Sequence, residues 1–440
     1  SGGCVRHIAT NCNRTNLQFN YLLKLMRAES RVRRRRLGTF MVGPVAYMGT
    51  KRRLAGAVRD LVADCQQGAF LDAFSGMCSV GSAVAPSRPI WSNDCQKFAA
   101  AVAHVYFVSQ SMPPKDFFLK NVAAASILKE LFDKKLKINA DVIDREHKAC
   151  ATDDVNDLND LFDMGYVIIK EIGDLKRLKT GVFFDSYAGT YLGYGQCCEI
   201  DSVREAIDIL RSNEIINADE SQWLIVALAS AISKVATTTG HFAQPMRPNS
   251  HNIKKYAAQR RRSILMEFNS AMRACEPLGT ASWRRGNKVF QVDSEKLIAK
   301  FRHSNDRPSL IYADPPYTKD QYSRYYHVYE TLLSNEYTSL EGKGLYRPDR
   351  FVSQYCLASK VEDSLETLIA QCAEIGSDMI LSYPTNGLLE DSRFRLPEMF
   401  RRHYKGALDV IELPHLHSTM GASKGSRQSA VIEVMYRARH

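Results

Sequence analysis

Short apolar runs lie near both ends of the chain, and amphipathic stretches with helical spacing separate them. Apolar runs of about four to eight residues are typical of strands that are buried in a parallel sheet. Between 361 and 376 the apolar positions instead predict a helix with one buried face, made by Leu365, Leu368, Ile369 and Cys372. The runs that predict strands are 69–74, 90–94, 288–292, 309–314, 378–384, 406–414 and 429–437.

The order of these patterns predicts the domain organisation. Residues 69–94 read as strand, loop, helix and strand, which fits a parallel sheet with a right-handed crossover. From about 98 to 275 helical patterns dominate. We therefore expect an α/β, Rossmann-like fold interrupted by a largely helical insertion. The predicted division is a basic N-terminal extension at 1–43, a catalytic α/β domain at 44–100 plus 286–440, and a helical insertion at 101–285.

The charge balance favours a polyanionic partner. The 440 residues include 59 lysines and arginines against 48 acids, a formal net charge of +11. Basic side chains that neutralise phosphates release counterions, and this drives binding to nucleic acid. Five of the six residues 31–36 are arginine, which fits either a solvated lead-in or a phosphate-binding arm. The basic residues between 254 and 262 lie on a predicted helix and are expected to contact phosphates, with a solvated helix face as the alternative.

Cysteine usage and hydropathy narrow the class of protein. The eleven cysteines include no Cys-x-x-Cys pair, so we expect neither a disulfide framework nor a structural zinc site. His415 and His417 have no evident third ligand nearby, and no metal is expected. No apolar run reaches the length of a membrane span, and no secretory signal is visible. The expected location is the cytoplasm.

The segment 70–83 predicts a ligand loop. In open α/β sheets, ligands bind beyond the carboxyl ends of the strands, where Gly76 would permit close approach of the backbone. Asp94 follows the next strand, 22 residues after Asp72, and an acid there suits a pair of ribose hydroxyls. Cys78 replaces the middle glycine of a dinucleotide-binding pattern. An ordinary βα turn with an aspartate cap explains these residues equally well.

A second candidate lies in the stretch 45–62, where a turn precedes a helical pattern. Tyr47 can cover an adenine or a sulfonium, and Lys51 can meet a carboxylate. A helix capped by Thr50 is the alternative.

The most informative motif is Asp314-Pro315-Pro316-Tyr317, which follows a strong strand pattern. The prolines fix an extended loop that can offer a carboxylate and a carbonyl to one amino group, beside the flat ring of Tyr317. Such a set suits an aryl amine, whose lone pair is delocalised into its ring. Two acceptors expose that lone pair and stabilise the positive charge that develops on nitrogen.

In this order, the motifs at 47–51, 72–76, 93–94 and 314–317 resemble those of the alpha group of amino-methylating DNA methyltransferases. The resemblance is greatest to bacterial DNA adenine methylases of restriction-modification systems, and it extends from about residue 44 to the end. It implies a methyltransferase fold, S-adenosyl-L-methionine as methyl donor, and a target-recognition domain in the helical insertion.

The resemblance also implies the residues of the site. Catalysis falls to Asp314, Pro315, Pro316 and Tyr317. The donor would be bound by Tyr47 and Lys51 at its methionine end, Phe74 and Gly76 beneath it, Asp72 at its amino group, Asp94 at its ribose, and Asp314 between donor and target base. Because Cys78 departs from the glycine usual in this family, we expect a slightly altered pocket.

The expected function is site-specific methylation of a flipped-out adenine in duplex DNA. Cytosine amino methyltransferases and RNA adenine methyltransferases usually carry serine or asparagine where this chain has Asp314, so they are the alternatives. A non-catalytic DNA-binding protein on the same fold is a third, although the motifs are intact. The expected partners are double-stranded DNA and a cognate restriction endonuclease, with the protein itself a monomer in the bacterial cytoplasm, associated with the nucleoid.

Overall fold

The computed structural model describes Val45, Lys51 and residues 54–171, 180–417 and 429–440. The predicted basic extension at 1–43 and Tyr47 lie outside these residues.

The strands of the described chain form one seven-stranded sheet with the order β3-β2-β1-β4-β5-β7-β6. Strands β1 to β5 are parallel to one another, and β7 runs antiparallel to both β5 and β6. Each apolar run that predicted a strand overlaps one of them, and the expected α/β methyltransferase-like fold is confirmed. The strands are β1 (Phe70–Asp72), β2 (Ile90–Asn93), β3 (Lys288–Phe290), β4 (Leu310–Ala313), β5 (Asp378–Pro384), β6 (Leu408–His417) and β7 (Ser429–Ala438).

Helices connect these strands and fill the middle of the chain. In chain order the helices of the described residues are α1 (Ala55–Val62), α2 (Ser79–Val84), α3 (Lys97–Phe107), α4 (Phe117–Lys120), α5 (Val122–Ile138), α6 (Ala140–Thr152), α7 (Val155–Glu171), α8 (Val182–Tyr187), α9 (Tyr194–Ser212), α10 (Ala218–Val235), α11 (Ile253–Arg260), α12 (Ile264–Ala274), α13 (Ala281–Arg284), α14 (Ser294–Phe301), α15 (Ser323–Ser334), α16 (Val361–Glu374) and α17 (Ser392–His403).

The chain divides into two compact units. The described residues of 46–110, 276–326 and 349–440 form the sheet unit, and those of 111–275 and 327–348 form the helical unit. The role of the helical unit in target recognition, like the domain boundaries expected from the sequence, stays a prediction.

Burial explains why the sheet forms where the apolar runs lie. Every residue of β1 and β4 is buried, as expected for strands covered on both faces. Helix α16 packs against the sheet unit through Leu365, Leu368, Ile369 and Cys372, none of which is exposed. The predicted helix face is therefore confirmed. Each large aliphatic side chain buried in this way contributes about 1.5–3 kcal/mol to folding.

The strand register brings the candidate acids to one edge of the sheet. Asp72 pairs with Ser92 on one side and with Tyr312 on the other, so Asp94 and Asp314 each follow two residues beyond a partner of Asp72. The strand order reverses between β1 and β4. Such a switch point opens a crevice at the carboxyl ends of the strands, where ligands bind in open α/β sheets.

The helical unit has its own core around α9, which packs against α5, α8 and α10. Two buried acids bind backbone amides inside it. Asp201 accepts hydrogen bonds from the amides of Phe183 and Phe184, both at 2.8 Å, and Glu199 accepts from the amide of Leu265 at 2.7 Å. Within the described residues, no helix combines the length and apolar character needed to cross a bilayer.

The expected phosphate-binding surface at 254–262 is only partly available. Lys254 and Lys255 are exposed on α11, but Arg260 is fully buried and pairs with Glu146 at 3.4 Å. Because its guanidinium points into the helical core, Arg260 cannot contact a phosphate. The expectation for Arg260 was wrong.

Candidate active site

One cleft opens at the carboxyl ends of β1, β2 and β4, entirely within the sheet unit. It encloses about 850 Å³ of space, including its solvent-facing part. Tyr47 is the candidate outside the described residues, and the functional roles of all candidates stay predictions. The predicted site residues that line the cleft are Lys51, Asp72, Phe74, Gly76, Asp94, Asp314, Pro315, Pro316 and Tyr317.

A tight loop after β1 forms the floor of the cleft. Gly76 has φ +46° and Cys78 has φ 60°, both in the left-handed region that favours glycine. The Gly76 amide donates to Asp94 Oδ2 at 3.0 Å. Cys78 is completely buried and is not among the described residues that line the cleft. Its left-handed backbone gives a physical reason for glycine at this position, while the expected alteration of the pocket stays a prediction.

Asp94 is held by backbone amides on both of its oxygens. Oδ1 accepts from the Gln96 amide at 2.9 Å and Oδ2 accepts from Gly76. Burial raises the pKa of Asp94 to about 6, although the amides of Gln96 and Gly76 lower it. Asp94 is therefore mostly ionised at neutral pH, and each oxygen has lone pairs left for further donors. A pair of neighbouring hydroxyls matches this acceptor.

Asp72 presents a buried, unsatisfied acceptor to the cleft. It is 2% exposed, and its Oδ1 has no hydrogen-bond partner. Burial, together with the nearby charge of Asp314, raises the pKa of Asp72 to about 8. A ligand cation beside Oδ1 would favour the ionised form. The unpartnered Oδ1 of Asp72 could therefore accept a hydrogen bond from an amino group in the cleft.

The Asp-Pro-Pro-Tyr loop lies on the opposite side of the switch point from Asp94. The carbonyl of Tyr317 accepts from the Leu388 amide at 2.9 Å, which fixes the end of the loop. Burial raises the pKa of Asp314 to about 7, an effect that Lys51 opposes and Glu433 reinforces. The ring of Tyr317 is 7% exposed and lines the cleft. Asp314, Pro315 and Tyr317 thus line one space, and the roles expected for the carboxylate, the carbonyl and the ring stay predictions.

Lys51 contacts two protein carboxylates. Its Nζ lies 3.0 Å from Asp314 Oδ1 and 2.8 Å from Glu433 Oε1, and 5.3 Å from the ring centroid of Tyr317. Burial lowers the pKa of Lys51, but Asp314 and Glu433 outweigh this effect and raise it overall. The ammonium is therefore charged and lies directly behind the Asp-Pro-Pro-Tyr loop. Its expected contact with the donor's carboxylate stays a prediction.

Sequence reasoning missed several residues of the site. One of them is Glu433, which is the single acid within the apolar pattern 429–437. This position was a signal, because a charged side chain in a buried strand needs a partner. The others have no local motif, because they come from separate segments that meet at the cleft. The lining residues that were missed include Gln96, Ser294, Tyr312, Tyr322, Phe351 and Ser353.

Comparison with known proteins agrees with the chemistry of the cleft. Residues 239–377, which contain the Asp-Pro-Pro-Tyr loop, match the family model of D12 class N6 adenine-specific DNA methyltransferase. The chain is 24% identical over 330 residues to modification methylase LlaI of Lactococcus lactis subsp. lactis, covering 74% of this chain and 44% of the relative. It is 21% identical over 375 residues to modification methylase StsI of Streptococcus sanguinis, covering 84% and 48%.

A third relative is type II methyltransferase M.NlaIII of Neisseria lactamica, 26% identical over 239 residues, with 54% of this chain and 64% of the relative covered. The chain spans about half the length of the first two relatives. The resemblance inferred from the four motifs is confirmed by these matches: residues 239–377 are similar to the D12 class N6 adenine-specific DNA methyltransferases, and most of the chain is similar to modification methylases.

Proposed function

We propose that this protein transfers a methyl group from S-adenosyl-L-methionine to the exocyclic amine of a flipped-out adenine at specific sites in duplex DNA. The observation that carries the proposal is the meeting of Asp314, Pro315 and Tyr317 with Asp72 and Asp94 in one cleft. The first three residues suit an aryl amine, and the two acids suit the amino and hydroxyl groups of a nucleoside-bearing amino acid. A cognate endonuclease remains an expectation drawn from the resemblance to methylases of restriction-modification systems.

The residues of the cleft fit the donor. The unpartnered Oδ1 of Asp72 would accept a hydrogen bond from its amino group, and Asp94 would accept from the ribose hydroxyls. Gly76 would let the loop approach it closely. When bound there, S-adenosyl-L-methionine supplies an electrophilic methyl group on a sulfonium.

Asp314 and the carbonyl of Pro315 would each accept a hydrogen bond from the adenine amino group. These acceptors draw the hydrogens out of the ring plane and direct the nitrogen lone pair towards the methyl carbon. As the nitrogen–carbon bond forms and the carbon–sulfur bond breaks, positive charge develops on nitrogen. Asp314 stabilises that charge and takes the proton, directly or through water. The ring of Tyr317 would hold the extruded base by stacking.

Tritium transfer tests the proposal directly. The full chain is incubated with labelled donor and genomic DNA that lacks methylation, and the modified nucleoside is identified after digestion. We expect label in N6-methyl-2′-deoxyadenosine at a short recognition sequence. Label on cytosine, or no transfer by folded protein, would overturn the assignment.

Replacing Asp94 by alanine should weaken donor binding by about 1.5–3 kcal/mol, since the ribose hydroxyls lose a charged acceptor. This corresponds to a loss of affinity of about tenfold to a hundredfold or more. Titration calorimetry with S-adenosyl-L-methionine measures the effect. Asp64→Ala, which removes an exposed acid of the same unit, is the control. Unchanged affinity in Asp94→Ala would refute the ribose assignment.

Replacing Tyr317 by alanine should weaken capture of the extruded base by about 1–3 kcal/mol, the scale of base–aromatic stacking. Tyr317→Phe keeps the ring and should retain most of the capture. Once the methylated site is mapped, 2-aminopurine fluorescence at the target position reports the extruded base. Equal loss in Tyr317→Phe and Tyr317→Ala would show that the hydroxyl, not the ring, is required.

A further inference from the structure

A buried row of charged groups extends from the cleft into the sheet. Lys51 joins Asp314 to Glu433, and Glu433 Oε1 also accepts from Ser382 Oγ at 2.5 Å. Lys51 is 6% exposed and Glu433 is not exposed. Burying charges is costly unless they are paired and hydrogen-bonded. The positions of these groups are thus mutually dependent.

Glu433 is separated from the cleft by Lys51. It lies on β7 and is not among the described residues that line the cleft. Its Oε1 holds Lys51 and Ser382, while its Oε2 has no hydrogen-bond partner. Its contact with Lys51 therefore links Glu433 to Asp314 at the cleft, and its charge also acts on Tyr312 and Tyr317 there.

We propose that Glu433 is a positioning residue, which holds the Lys51 ammonium in place and shares its charge, so that Asp314 stays a strong proton acceptor. This inference rests on the proposed methyl transfer, in which Asp314 accepts from the adenine amino group. Ser382 supports it by fixing the Glu433 carboxylate.

The charges around Asp314 explain why Glu433 would affect its strength as a proton acceptor. Lys51 favours the ionised carboxylate, whereas Glu433 disfavours it, and burial raises the pKa to about 7. Without Glu433, the ammonium would pair with Asp314 alone, lower its pKa and weaken it as a proton acceptor. The titratable groups that face Asp314 are Lys51, Asp72, Tyr312, Tyr317, Tyr322 and Glu433.

The first test is the pH profile of single-turnover methyl transfer. In the wild type the rate should rise with pH as Asp314 ionises. Glu433→Gln should move this rise to lower pH by about one unit or more. It should also reduce the plateau rate by about tenfold to a hundredfold, because Lys51 and Asp314 are no longer held in the productive arrangement. A purely structural role would lower the active fraction without moving the profile.

Two further variants separate charge from hydrogen bonding. Ser382→Ala keeps the charge of Glu433, so the pH profile should not shift. The plateau rate should fall about threefold to tenfold at unchanged KM, as expected for one lost hydrogen bond. The control Glu412→Gln removes a half-exposed acid of β6 that pairs with Arg393, and it should change neither the pH profile nor the plateau rate. If Glu433→Gln does not fold, an unchanged plateau in Ser382→Ala overturns the inference.

A binding measurement gives a readout without turnover. Sinefungin carries an amine where the donor has its methyl-bearing sulfonium, so its affinity relative to S-adenosylhomocysteine should increase as Asp314 ionises. Calorimetry across pH should place the midpoint of this ratio lower in Glu433→Gln than in the wild type. If the wild type is active and Glu433→Gln has the same affinity-ratio midpoint and the same pH profile of methyl transfer, the inference is overturned but the proposed function is not. A folded wild type without adenine methylation overturns the proposed function and this inference with it.

Discussion

Replacing Asp314 by alanine is expected to slow the methyl-transfer step by at least about 10²–10³, the loss typical of one preorganised hydrogen-bonding group. The variant removes the charged acceptor of the adenine amine and leaves only the Pro315 carbonyl. It also leaves the Lys51 ammonium, 3.0 Å away in the wild type, without one of its two counter-ions. The developing positive charge on nitrogen would then face a cation.

Single-turnover kinetics with saturating donor and DNA isolates this step from binding. Asp306→Ala is a suitable control, because Asp306 is an exposed acid of the same unit and pairs with Lys288. Donor affinity measured by calorimetry shows whether the cleft of Asp314→Ala is intact. Full transfer activity in Asp314→Ala would refute the adenine-amine mechanism, whereas a slow step with normal DNA affinity supports it.

Local patterns predicted the centre of the sheet well because the strands β1, β2, β4 and β5 are fully buried. A strand such as β4 is buried at every position and is therefore apolar along its whole length. Such a continuous apolar run can be recognised in a single sequence. The acids at the cleft were predictable for a related reason. Parallel strands that are neighbours end at the same edge, so Asp72, Asp94 and Asp314 were expected together once their strands were recognised.

Contacts between distant segments were not predictable in this way. Lys51 and Glu433 are 382 residues apart in the chain, and no spacing rule connects a turn before the first helix with the last strand. The sequence therefore predicted that Lys51 contacts a carboxylate of the ligand, because its pairing with Asp314 and Glu433 in the protein could not be foreseen. The same reason explains Arg260, which lies in a basic run typical of a DNA surface but is paired with Glu146, 114 residues away.

Replacing Arg260 by methionine is expected to reduce the free energy of unfolding of the helical unit by about 3–5 kcal/mol, the cost of breaking a buried ion pair from one side. The guanidinium is completely buried. It donates to the carbonyl of Thr190 at 2.6 Å and to the hydroxyl of Tyr256 at 2.6 Å. Urea unfolding of the full chain, followed by circular dichroism, measures the loss. Lys255→Met on the exposed face of the same helix should change stability by less than about 0.5 kcal/mol.

The pH dependence of the Arg260→Met effect identifies its cause. Burial raises the pKa of Glu146 above its ordinary value of 4.5, and Arg260 counteracts this rise. Without Arg260 the pKa of Glu146 in the folded protein should increase further, so stability is lost as pH rises from 4.5 through that higher value. The loss in Arg260→Met should therefore be smaller at about pH 5 than at about pH 8. Adding Glu146→Gln removes the unpaired charge and should recover part of the stability at the higher pH. Equal losses at both pH values, with no recovery in the double variant, would show that Arg260 acts through its other hydrogen bonds and its packing, and not through the charge of Glu146.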